Sequence, residues 1–236
     1  MNTIINDIVY WLGIISAIFG IISGLNLFFQ YFYNRKIGFY LFINKIFLGN
    51  REVHFKLSSN FKFSNSFELF KKFNEVLHES QEKYEMVVNL KNHKMYNIRN
   101  GIILDIQCQD PIDGTDLKDV FIQVIDAGVT LRTGLDIISL FGNLIPKLGN
   151  KLNISDQDYN FQILYDNRKN PFIGMKLKAF SNDNIKTFQC KVNYYALLPN
   201  QYKGANKTID INKSNLSLND ENYTNLSEAA KILLAV

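Results

Sequence analysis

From Ile8 to Tyr33 the chain reads IVYWLGIISAIFGIISGLNLFFQYFY, an apolar run without one charged side chain. About 20 apolar residues at a helical rise of ~1.5 Å are enough to cross the hydrocarbon of a bilayer. This run has that length even with tilt, so residues 1–36 read as a transmembrane helix and its flanks. A cleavable signal would be shorter, would begin basic and would end at a small-x-small site. Here Asp7 precedes the run and Asn34-Arg35-Lys36 follow it, so the reading is an uncleaved, single-pass anchor.

The flanking charges give a direction. Arg35, Lys36, Lys45 and Arg51 follow the helix and no Lys or Arg precedes it, which by the positive-inside rule predicts an outside N-terminus and a cytoplasmic domain at the inner membrane. Tyr10 and Trp11 at one end, and Phe28, Phe29, Tyr31, Phe32 and Tyr33 at the other, suit the two interfacial aromatic belts.

Small and polar residues within the helix share a face: Gly13, Ser16, Ala17, Gly20, Ser23 and Gly24 recur at spacings of three and four. Gly20 and Gly24 form a GxxxG, the kind of face that lets two helices approach closely in lipid. Homo-oligomerisation is the expectation. Ser16, Ser23, Asn26 and Gln30, turned inward in such a bundle, would line a narrow pore. The helix is therefore read as an anchor or a pore element.

Beyond the helix, residues 37–50 are apolar but short and broken by Lys45, which predicts a juxtamembrane segment or first strand and no second span. Residues 51–198 then alternate with period two at Val53/Phe55/Leu57, Tyr84/Met86/Val88/Leu90, Ile102/Leu104/Ile106/Cys108 and Val120/Ile122/Val124. The pattern recurs at Tyr159/Phe161/Ile163/Tyr165, Ile173/Met175/Leu177/Ala179 and Phe188/Cys190/Val192/Tyr194. Asn100-Gly101 is a hairpin signal, and 91–94, 166–171 and 181–184 carry turn residues. The predicted class is a transmembrane α-helix plus a mainly antiparallel β-rich α+β domain, closed as a barrel or a sandwich.

Two helices interrupt the strands. Asn65 with Glu68 makes a capping box ahead of Phe67, Phe70, Phe73 and Leu77. Thr133 with Asp136 predicts a second start, ahead of an apolar stretch that Pro146 and Gly149 should disturb. Residues 199–236 read as a polar tail, flexible or lightly docked, ending in a short helix from about Ser227.

Chemistry-bearing motifs are sparse. The 26 basic and 22 acidic residues are interspersed, which does not suggest nucleic-acid binding. Cys108 and Cys190 read as two buried thiols, and His54, His78 and His93 have no partner at metal spacing, so no metal, cofactor or catalytic residue is expected. The acidic run Asp110, Asp113, Asp116 and Asp119 lacks the closing glutamate of a calcium loop and reads as solvated. The sequons at Asn206, Asn212, Asn215, Asn222 and Asn225 conflict with a cytoplasmic domain and read as chance matches in an asparagine-rich chain. What remains is a set of cations and rings near strand ends, Arg99, Arg132, Arg168, Tyr165 and Tyr194, fitted to a small anionic, ring-bearing ligand.

The order of a self-associating N-terminal membrane helix, a basic flank and a compact strand-rich domain resembles the membrane effectors of bacterial nucleotide-signalling antiviral systems such as CBASS. The resemblance is one of layout, across residues 8–33 and 51–198, and transfers no site residue. It implies a domain that binds a cyclic nucleotide, forms oligomers and drives its helices to disrupt the inner membrane. The alternative is a membrane-tethered scaffold whose domain binds another protein.

Overall fold

The computed structural model describes residues 2–35, 39, 42–43, 46–47, 49–99, 101–111, 116–125, 128–165, 186–193 and 207–234. Two compact units divide the chain, residues 1–48 and 49–236.

The first unit contains helix α1 (Asn2–Arg35). None of its residues from Trp11 to Phe32 is buried, and this 22-residue stretch is long and apolar enough to cross a membrane. Beyond it the described residues Phe39, Phe42, Ile43, Ile46 and Phe47 are helical, so the expectation of a first strand here is corrected. Phe39 packs its ring edge-on to Phe29 and Phe32.

The second unit is built on one antiparallel sheet. Its strands are β1 (Glu52–Phe63), β2 (Tyr84–Asn89), β3 (His93–Ile98), β4 (Ile102–Gln109), β5 (Lys118–Val124) and β6 (Val129–Thr130). They are completed by β7 (Gln157–Leu164), β8 (Gln189–Asn193), β9 (Thr208–Asn212) and β10 (Asn215–Asp220). The order across the sheet is β2-β3-β4-β5-β1-β7-β10-β9-β8, with β6 paired to β1. The two end strands are not paired with each other among the described residues, so the sheet is open; neither the barrel nor the sandwich forms.

Three helices, α2 (Ser66–Glu79), α3 (Leu131–Leu152) and α4 (Tyr223–Leu234), close the apolar side instead. A barrel buries its alternate positions by closing on itself; here the helices do it. The register shows which positions those are, because Leu57 lies opposite both Val124 and Phe161, and Phe161 opposite Leu218. All four are buried.

Local signals explain the helix ends, with two corrections. The Asn65 side chain accepts from the backbone N–H of Phe67 and Glu68, as a capping residue should. Helix α3, however, is capped by Thr130, whose hydroxyl accepts from Thr133 N–H at 3.2 Å, so Thr133 is the third helical residue rather than the cap. The helix also continues through Pro146 and Gly149 to an αL cap at Asn153. Pro in a helix interior costs about 3 kcal/mol, and the buried stripe of Ile137, Ile138, Phe141, Leu144, Ile145 and Leu148 offsets it.

The polar tail is also corrected. β10 pairs with β7 over six residues, and α4 buries Leu226, Ala229, Ala230, Leu233 and Leu234. α4 starts at Tyr223, four residues before the expected Ser227, because Asn222 caps it through Thr224 N–H and Asn225 N–H. β3, read earlier as following a turn at 91–94, begins at His93 itself. The alternation at 173–179 lies outside the described residues.

Candidate functional site

Two regions of the described residues combine exposure with unusual chemistry: the glycine face of α1 and the sheet face that no helix covers.

On α1, Gly13, Gly20 and Gly24 have nothing within 4 Å of where a Cβ would stand. These glycines serve no contact inside the chain. One turn further on, Gln30 Nε2 donates to Asn26 Oδ1 at 3.3 Å, which uses one donor and one acceptor and leaves residual hydrogen-bonding capacity on two exposed amides. In hydrocarbon, that residual capacity favours a polar partner from another helix or from water. Ser16, Ala17 and Ser23 complete the exposed face.

On the uncovered sheet face, a carboxylate is buried among polar side chains. Asp105 lies opposite Met95 and Gln123 in the register and its side chain is 5 % exposed. It accepts three hydrogen bonds: His93 Nε2 at 2.7 Å and Gln107 Nε2 at 2.8 Å, from β3 and β4, and Gln123 Nε2 at 3.0 Å, from β5. A carboxylate only accepts, so the Nε2 of His93 carries its proton. Three donors offset the cost of burying the charge. No hydroxyl or thiol among the described residues bonds to His93, so the arrangement clamps three strands rather than forming a nucleophile-activating triad. No sequence motif marks it, because the four residues are spread over three strands and sit on the polar side of the alternation.

The cation and ring set is only partly described, and what is described is dispersed. Arg99 closes the β3–β4 hairpin with a left-handed backbone (φ 54) and forms a two-pronged pair with Glu82 at 2.7 and 2.5 Å. Arg132 is exposed in the first turn of α3. The Tyr165 backbone bonds Ser214, beside Arg51 and Leu234. Arg168 and Tyr194 lie outside the described residues, as do Lys36 and Lys45. Arg51 donates to the Leu234 carbonyl at 3.4 Å, tying the start of β1 to the end of α4.

Cavities of about 670 and 530 Å³ flank the loop at 153–158 and take in Asp119, Asp156, Asp158 and Glu221; neither Arg99 nor Arg132 lines them. Among the described residues no group of three His, Cys, Asp or Glu is placed to hold a metal. The expectation of two buried thiols is half corrected: Cys108 is buried, and burial pushes its thiol up to about 11, whereas Cys190 is exposed on β8.

The class these features define is an N-terminal apolar helix of membrane-spanning length joined to an open-sheet α+β domain. No protein-family model matches the chain, and no curated protein matches it.

Proposed function

We propose that this protein is a single-pass membrane protein whose α1 self-associates and whose α+β domain is a binding module, signalling through oligomerisation of the helix. The observation that supports the reading is the face of α1: an exposed apolar helix with glycines that no intrachain contact uses. Glycines cost a helix about 1 kcal/mol each relative to alanine, and close approach of a second helix offsets that cost in lipid. The basic residues at 35, 36 and 45 support a cytoplasmic domain. By its layout the module would act as the nucleotide-signalled antiviral effectors do, taking a small anionic ligand and opening or disrupting the inner membrane.

The test is crosslinking of the full chain in native membranes, read together with membrane potential. Gly20→Leu and Gly24→Leu should abolish the oligomer and any depolarisation while the domain's thermal transition is unchanged. An oligomer that persists in both variants refutes the helix face; a persistent oligomer without α1 would favour the scaffold reading.

A further inference from the structure

Among the described residues of the second unit, the most exposed large apolar side chains are Phe67, Leu90 and Val87, and the first two line one groove. Phe67 in the first turn of α2 is 77 % exposed, Leu90 after β2 is 61 % exposed, and Val87 in β2 is 55 % exposed. Val87 stands at a register break between Met86 and Val88, which takes it out of the β2–β3 ladder. A groove of about 510 Å³ runs between α2 and this hairpin, with Lys71, Lys91 and Lys94 on its walls and no carboxylate among the described residues lining it. Lys71 lies one turn after Phe67, on the same side of α2. Lys94 lies 4.8 Å over the Phe70 ring, which holds its ammonium at the groove edge. None of the three lysines is in an ion pair among the described residues, although Glu75 feels the charge of Lys71 and Asp110 that of Lys91.

Protruding apolar side chains ringed by lysines match the chemistry of a bilayer surface, where rings and alkyl groups enter the headgroup boundary and ammonium groups meet lipid phosphates. We propose that this groove and hairpin dock the domain onto an anionic lipid surface. The inference rests on the membrane anchor proposed above, because tethering by α1 makes weak surface contacts effective. Charge also selects lipid over an apolar protein partner: three cations without a lining carboxylate suit a continuous negative surface. The chain enters the domain at Gly49, before β1, while α2 follows the far end of that 12-residue strand, about 36 Å away at 3.3 Å per residue. The groove is thus separated along β1 from the point where the chain joins the domain.

The experiment is hydrogen–deuterium exchange on the full chain in nanodiscs. Amides at 67–71 and 89–94 should exchange more slowly in discs containing phosphatidylglycerol than in pure phosphatidylcholine discs, with β9 and β10 unchanged. Added salt should erase the difference, since surface charge is screened within about 10 Å at 0.1 M. Lys71→Glu with Lys91→Glu should remove it, at about fivefold or more per lysine, and Phe67→Ser should weaken it. Equal exchange in the two discs, with α1 still co-eluting with them, overturns docking while leaving the anchor intact. Slowing by polyglutamate in detergent but not by anionic discs also overturns it and assigns the groove to an acidic peptide. Loss of co-elution would refute the anchor itself.

Discussion

The apolar stretch Trp11–Phe32 of α1 and the amphipathic helix α3 are each 22 residues long with three glycines, and they use those glycines in opposite ways. In α3 every one is filled. A Cβ at Gly134 would lie 2.9 Å from Leu234, one at Gly142 would collide with the Tyr223 ring, and one at Gly149 with the Gln157 amide. The Tyr223 hydroxyl then donates to the Ile138 carbonyl at 2.5 Å, so α4 is seated on α3 by a ring in a glycine notch and one buried hydrogen bond. In α1 the corresponding positions meet nothing. A glycine face that is matched inside the chain is spent on folding; one that is unmatched is available to something outside it.

Substitutions in the two helices should therefore part company. Gly142→Leu forces a side chain into the space of the Tyr223 ring, and overpacking of this kind costs about 1–3 kcal/mol or more. Losing the Tyr223 seat as well would bring the cost to about 3–5 kcal/mol, the range for deleting a large buried ring. Chemical denaturation of the domain should show that loss for Gly142→Leu and none for Gly20→Leu. Equal losses would break the contrast.

Alkali should act on the buried rings of the domain. Burial raises the Tyr159 phenol to about 12 and pushes Tyr96 and Tyr223 up as well. A phenol that stays neutral when folded but ionises near 10 when unfolded leaves stability intact below pH 10 and erodes it above. The unfolded state has then lost protons that the native state keeps. Tyr159 alone accounts for about 2–3 kcal/mol between pH 10 and 12. Near-ultraviolet circular dichroism should show the domain's transition moving down steeply above pH 10 and flat below 9, while helicity from α1 persists. A transition independent of pH up to 12 would mean the ring cluster is not buried.

A smaller effect is expected in α1 at Gln30, whose amide is only half satisfied by Asn26. Gln30→Leu should weaken self-association by about 0.6–2 kcal/mol, the range for an interhelical polar contact in lipid, without changing domain stability. The smallest perturbation is thiol labelling: a maleimide at neutral pH should modify Cys190 and spare buried Cys108 until the domain is denatured. Two rapidly reacting thiols in the native protein would show that β4 is not packed as described.

Much of the architecture is readable in advance where one physical pattern dominates. The uncharged run at 8–33 is decisive because charge is so costly in hydrocarbon, and strict alternation marks β1, β2, β4, β5 and β7 because each has one covered and one uncovered side. β9 and β10 escaped for a specific reason. Ile209 and Ile211, and Leu216 and Leu218, do alternate, but Asp, Asn, Ser and Lys at every other position make the stretch look like a linker. Pairing of β10 with β7 and of β9 with β10 places those four side chains in the core and turns a polar segment into part of the sheet. The start of α3 was misplaced because Thr130 and Thr133 are equally good caps in isolation, and the pairing of β6 with β1 decides between them. No local signal foretold the Asp105 clamp or the lysine groove, since each joins residues from separate elements.

By itself the sequence determined a helix of membrane-spanning length with glycines along one face, and a domain whose strands have one apolar side. Only the tertiary structure decided that the sheet stays open among the described residues, that three helices rather than sheet closure cover its core, and that residues 207–234 complete it. Periodicity records which side of an element avoids water. What lies against that side depends on pairings between distant segments, here Phe161 with Leu218 and Gly142 with Tyr223, and no local pattern encodes them.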